Sequence, residues 1–235
     1  MSVYPLAEKY PNISPYVYVA NNPINAIDPD GREIIYVIYN KDGSAKEELK
    51  YRNGNFYHNR GEGKRYNPGK ESLSPNMYKV LTAYRKIEKS NDKELKNMLS
   101  TLADSKQTHY VTQGETNQNE VDSQFYPEND LRNYQARQDV KNGEPVDTMT
   151  HYDFSEESKK DYERQEGVPD SDFSTVVHEM RHQFDFDQGN LADSRGKRYN
   201  KSPAEKRAVD SENRARKINN LPKRTTYGGK KFDID

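Results

Sequence analysis

The chain has no cysteine anywhere in its 235 residues. That absence excludes disulfides and thiolate metal sites, so any bound zinc must be held by histidine and carboxylate. Apolar residues are scarce too, at 31% hydrophobic against 32% charged. A single domain of this length can still hide a core, but a lean one with long loops. Eighteen tyrosines partly offset the shortage, on the expectation that they bury their rings and keep their hydroxyls satisfied. The longest apolar run, Ile34 to Tyr39, is the length of a strand and far too short to span a membrane. No signal-peptide pattern is visible, which leads to the expectation of secretion, or delivery into a target cell, by a carrier or dedicated export system.

Histidine is rare as well, at five in the whole chain, yet two of the five fall in His178-Glu179-Met180-Arg181-His182. On a helix, residues four apart share a face, so both imidazoles can reach one metal ion. Glu179 sits about 100° round the helix from His178, close enough to work on a water beside the metal without ligating it. The bland reading, two solvated histidines at a chance spacing, is weakened by the context. Pro169-Asp170-Ser171-Asp172 supplies cap residues, and Phe173, Val176, Val177, Met180 and Phe184 supply an apolar side. The spacing predicts a helix from about Ser171 that fades after Phe184, before the turn formers Asp185, Asp187, Gly189 and Asn190.

A zinc site that keeps one position open needs a third protein ligand. The downstream carboxylates are Asp185, Asp187, Asp193, Glu205, Asp210 and Glu212. Ser202-Pro203-Ala204-Glu205 reads as a helix start with Ser202 as N-cap and Pro203 in the first turn, and the helix should run to about Asn219. On it Glu205, Ala208, Val209, Glu212 and Ala215 form one stripe, so two acids share the face with the small apolar residues. Buried carboxylates are costly unless a cation or strong donors meet them. Glu205 has an alternative as the acid of a capping box on Ser202. Glu212 has one as a core acid paired to Arg214 or Arg224, or to the ring N–H of a ligand histidine. Glu205 ranks first as the ligand and Glu212 as the group behind it; the choice between them stays open here.

These residues also carry a resemblance. His178-Glu179-x-x-His182, then Glu205-x-x-Ala208-Val209, Glu212-Asn213 with Arg216, and Leu221-Pro222-x-Arg224-x-x-Tyr227 resemble the C-terminal half of the bacterial effector zinc metallopeptidases, gluzincin-like enzymes of the HExxH type. The resemblance spans roughly the last sixty residues. It implies Glu205 as third ligand, Glu212 and Asn213 as supports, and Tyr227 or Arg224 as donors to an oxyanion. The chain departs from the pattern at Lys206-Arg207 and at Gln183.

The other end resembles something different. Tyr4-Pro5-Leu6-Ala7-Glu8-Lys9-Tyr10, Ser14-Pro15-Tyr16-Val17-Tyr18, Asn21-Asn22-Pro23 and Asp28-Pro29-Asp30-Gly31-Arg32 are similar to the closing segment of an Rhs/YD-repeat core. The resemblance implies a toxin tip attached to a stub of its carrier shell, with an immunity protein as a partner. The plain alternative is a proline-punctuated linker, since each element also has turn chemistry.

Between these ends, Ile34 to Tyr39, a turn at Lys41-Asp42-Gly43, Glu47 to Tyr51, and a turn at Arg52-Asn53-Gly54-Asn55 leading into Phe56 and Tyr57 read as a meander. Ser74-Pro75 opens a helix with Tyr78, Leu81, Tyr84 and Ile87 at core spacing, and a second helix carries Leu95, Met98, Leu99 and Leu102. Tyr110 to Thr112 and Val146 to Tyr152 read as short strands, with Val146 to Thr150 as the edge that would hold an extended substrate. His109 and His151 read as ordinary strand-end histidines, and His58 as an exposed turn residue.

The expected fold is therefore α+β: a zincin-like metallopeptidase with an active-site helix, a small antiparallel sheet and several helices. Residues 1–33 are expected to be the stub, 34–70 the meander and 71–235 the peptidase domain. The expected activity is zinc-dependent cleavage of a protein substrate with Glu179 as general base. Net charge is −1, but Arg195 to Lys231 is strongly basic. That stretch allows a nuclease-type toxin as a rival. No separate nuclease constellation accompanies it, so nucleic acid is disfavoured, and an acidic or phosphorylated protein target or an acidic immunity protein accounts for the charge as well. The third reading is a noncatalytic metal-stabilised binding module closed by a fourth ligand, Asp185 or Glu212.

Overall fold

The computed structural model describes residues 34–40, 45–58, 63–66, 74–115, 117–121, 131–194 and 197–232. The carrier stub at 1–33 and the Lys41-Asp42-Gly43 turn fall outside the described residues.

The first three strands, β1 (Ile34–Tyr39), β2 (Ala45–Arg52) and β3 (Asn55–His58), form the antiparallel meander. Asn53 and Gly54 both have positive φ, 45° and 70°, giving the tight turn whose twist suits a hairpin. Helices α1 (Pro75–Lys89) and α2 (Lys93–Ala103) follow, capped by Ser74 and Asp92. Then come β4 (His109–Gln113), β5 (Gln118–Val121), α3 (Leu131–Asn142) and β6 (Thr148–Tyr152). The chain continues through α4 (Glu156–Glu166), α5 (Asp172–Asp187), α6 (Pro203–Ile218) and the two-residue strands β7 (Thr226–Tyr227) and β8 (Lys230–Lys231).

The sheet differs from the small antiparallel one expected. It has six strands in the order β3-β2-β1-β4-β6-β5, and β1–β4 and β4–β6 are parallel. The physical reason is the crossover: α1 and α2 return the chain to the same end of the sheet before β4, which makes the next pairing parallel. The sheet therefore crosses the boundary expected between 70 and 71, and meander and helices form one compact unit. A second correction concerns the edge. Val146 to Thr150 was expected to be a free edge, but β6 lies between β4 and β5, and β5 takes the outer position.

The apolar stripes pack as read, with one exception. Leu95, Met98, Leu99 and Leu102 of α2 are buried, as are Leu81, Tyr84 and Ile87 of α1. Tyr78 is 56% exposed, because Met77 and Val80 hold the inward positions and Tyr78 stands one residue further round the helix. Among the described residues Tyr36, Tyr51, Tyr66, Tyr84 and Tyr152 are buried, but their hydroxyls are not all satisfied. Tyr51 donates to Glu88 at 2.6 Å and Tyr152 to the Val176 carbonyl at 3.3 Å, whereas Tyr84 has no hydrogen-bond partner and burial pushes its phenol well up.

Helix α5 runs through the centre, packed on α6, α1 and α2. It extends one turn beyond Phe184, the end expected from its turn formers. Asp185 and Asp187 have partners there: Asp187 meets the fully buried His109 at 3.1 Å and Ser105, tying the helix end to the start of β4. His58 closes β3 and is half-buried, 3.0 Å from Glu47. Among the described residues no helix is long and apolar enough to cross a membrane.

Candidate metal centre

Ser171 caps α5, so its register places Phe173, Val176, Val177 and Met180 in the core and leaves His178 and His182 on an adjoining face. Their rings lie 5.1 Å apart at 72°. Ser202 caps α6 by accepting the Glu205 N–H at 3.4 Å, which is the N-cap half of the box considered from sequence. The Glu205 side chain points instead at the histidines. Its Oε2 is 3.3 Å from His182 Nε2 and 3.5 Å from His178 Nε2. A tetrahedral zinc ion with bonds of about 2.0–2.1 Å has donor–donor edges of roughly 3.3–3.4 Å, so the two edges from Glu205 fit such an ion, and all three donor atoms lie within 4.8 Å of one another.

The same oxygen is buried, and the groups facing it are the two imidazole nitrogens at distances long for a hydrogen bond. A desolvated carboxylate oxygen so weakly served is costly, and a cation among these three atoms removes that cost. Burial works against its charge, but the two imidazoles hold Glu205 well below the usual carboxylate range. Among the described residues no other group of three such donors clusters in this way.

The competing acids are each engaged elsewhere. Asp185 is 0% exposed and sits between Arg181 at 3.0 Å and Arg207 at 2.8 Å. Asp193 meets Arg207 at 2.7 Å, Asp187 meets His109, and Asp210 meets Lys206. Arg207 and Gln183 have structural roles. Arg207 bridges α6 to the end of α5, and the fully buried Gln183 reaches the Tyr110 carbonyl at 3.4 Å and so ties α5 to the sheet.

Glu212 stands behind the first imidazole. Its Oε2 is 3.1 Å from His178 Nδ1, which leaves Nε2 to face Glu205. The same carboxylate takes Arg224 Nη1 at 2.7 Å, Arg216 Nη1 at 3.5 Å and the Tyr162 hydroxyl. Burial disfavours its charge, yet His178, Arg224 and Tyr162 outweigh that and hold the carboxyl at about 2. Burial likewise disfavours the His178 imidazolium, but Glu205 and Glu212 together raise it to about 9 without a metal. Of the two arginines considered from sequence, Arg224 pairs with Glu212, and Arg216 joins it; Arg214 reaches Asp92 and Glu94 at the start of α2. Asn213 exchanges two hydrogen bonds of 2.8 Å with the Arg224 backbone, fixing the segment after α6.

Arg224 is fully committed. Its guanidinium forks between Glu212 and Glu166, bonds the Thr226 carbonyl at 2.9 Å, and lies between the Tyr162 and Tyr227 rings at 5.1 and 4.7 Å. It acts as a bracket for Glu212 and the Tyr227 ring, and has little left for an oxyanion. Tyr227 enters from the β7–β8 hairpin, whose turn is made by two left-handed glycines, Gly228 and Gly229. Its ring is 6.0 Å from that of His178. Burial first, then the Glu205 and Glu179 carboxylates, push its phenol far up, so it stays protonated as a donor.

His178, Glu179 and Tyr227 line a cavity of about 500 Å³, whose wall also includes α4 residues from Glu157 to Glu166. Glu179 is buried at 6% exposure, on the wall of the cavity and outside the three-ligand cluster. The α4 residues Tyr162 and Glu166 were not anticipated from sequence. Ser155 as cap, the acids Glu156 and Glu157, and the closing Gly167 signal a helix there, but α4 has no buried apolar residue and so no stripe to show which face matters.

No protein-family model matches the chain, and no curated protein or solved structure is significantly similar to it.

Proposed function

We propose that the protein is a zinc-dependent endopeptidase that acts as the tip of an Rhs-type bacterial toxin. The observation that carries the enzymatic half is the Nε2–Oε2 geometry, 3.3 and 3.5 Å from two imidazoles to one buried carboxylate oxygen. His178, His182 and Glu205 hold the metal in this reading. A bound zinc ion supplies Lewis acidity, lowering the pKa of a water towards about 7. Glu179 takes the proton as water attacks the scissile carbonyl and returns it to the leaving amine. Tyr227 donates to the oxygen that gains charge. Glu212 keeps His178 in the tautomer that presents Nε2, and Arg224 with Asn213 keeps Glu212 in place.

The toxin half rests on the succession of Tyr-Pro, Asn-Pro and Asp-Pro-Asp-Gly elements in the sequence before residue 33. The rival nuclease reading loses ground because Arg207, Arg214, Arg216 and Arg224 of the basic stretch are all in ion pairs. The closed-site reading loses ground because Asp185 is held by arginines and Glu212 faces Nδ1. Glu179→Gln should keep stoichiometric zinc while losing proteolysis and toxicity in a target cell. Full proteolysis by that variant would overturn the mechanism.

A further inference from the structure

The cavity beside the candidate metal centre is strongly acidic beyond the residues given roles above. Its wall carries Glu115, Asp153, Glu157, Asp161 and Asp170 in addition to Glu179. The cationic groups on that wall are Arg224, matched by Glu212 and Glu166, and the His178 imidazole, which faces Glu205 and Glu212. Asp153 and Asp170 accept from the Ser155 N–H at 2.8 Å and the Thr175 hydroxyl at 3.0 Å, neutral donors that leave each charge in place. Asp161 pairs with Arg164, which does not line the cavity. Burial raises the Asp170 carboxyl above its ordinary value, against hydrogen bonds from Ser171 and Thr175, with smaller contributions from Asp172 and Glu212. None of the lysines between 195 and 231 lies on this wall, so the basic stretch does not set the preference of the cleft.

Helix α4 lines the cavity from Glu157 to Glu166, a rise of about 14 Å, which an extended peptide covers in about four residues. One sign of charge along a low-dielectric wall concentrates ligands of the other sign and strengthens at low salt. We propose that this cleft selects a basic segment of its protein substrate, with lysine or arginine within about four residues of the bond that is cut. The inference rests on the peptidase reading, and it runs against the acidic target suggested by the basic stretch alone.

The test is a digest of a peptide library by the zinc-loaded full chain, beside the double variant Glu157→Lys/Asp161→Lys and, as control, Glu94→Lys on α2. Cut sites should be enriched in Lys and Arg near the broken bond, the enrichment should fall at least tenfold in the double variant, and Glu94→Lys should preserve it. Cut sites without basic enrichment, or enrichment that survives the double reversal, would overturn the proposal and leave the peptidase reading intact. Binding of labelled oligolysine against oligoglutamate separates the remaining case. If nothing is cut but oligolysine binds at least tenfold tighter at low salt, and the double variant loses this, the cleft preference stands and the peptidase reading falls. Equal binding of the two peptides would end the proposal.

Discussion

Replacing Glu212 by glutamine preserves shape and removes one charge from the most connected carboxylate behind the metal centre. Its side chain is 2% exposed and serves His178 Nδ1, Arg224, Arg216 and Tyr162 together. The folded protein holds this carboxyl at about 2 against an ordinary 4.5, a difference that converts to roughly 3 kcal/mol of stability at neutral pH. That agrees with the cost of about 3–5 kcal/mol for breaking a buried ion pair from one side. Because the folded value is depressed, the contribution is complete above pH 4.5 and disappears as pH falls towards 2. Urea unfolding of the metal-free protein should therefore show Glu212→Gln weaker by about 3 kcal/mol at neutral pH, with the gap to wild type closing in acid. Chelator competition should show zinc held about 10–100-fold more weakly, since the partner that orients His178 has lost its charge. A variant within about 0.5 kcal/mol of wild type at neutral pH, with unchanged zinc affinity, would refute the reasoning.

Two further outcomes follow from the geometry. Tyr227→Phe should keep zinc and fold but lower kcat by about 10²–10³ with little change in KM, read by steady-state assay on a cleaved peptide; an unchanged kcat would remove Tyr227 from the reaction. Gly189 has φ +67°, and a Cβ there would stand 1.8 Å from the Gly143 carbonyl oxygen, so Gly189→Ala should cost about 2–3 kcal/mol in thermal or urea unfolding.

Much of this site was legible in sequence because it follows helical spacing. The i, i+4 histidines, the Ser202-Pro203 start and the Glu205–Glu212 stripe each depend on local geometry, and α6 begins and ends where those signals place it. The sheet was less legible, since pairing direction depends on where α1 and α2 return the chain, which no local pattern records. The same limit hid the interior position of β6. The partners of Glu212 were half visible: Arg224 was named as one option, whereas Tyr162 comes from a helix with no apolar stripe. The acidity of the cavity was missed because no local pattern shows that α4, with Asp153 and Asp170 on either side of it, turns its acids towards the metal centre, or that Glu115 joins them.

The most direct test is X-ray absorption at the zinc edge on the loaded chain, beside Glu205→Ala. Stoichiometric zinc should show two imidazole nitrogens and one carboxylate oxygen at about 2.0–2.2 Å with one further light atom, and Glu205→Ala should lose the carboxylate and most of the affinity. Zinc that binds at well under one ion per chain, or a first shell unaltered in Glu205→Ala, would contradict the account.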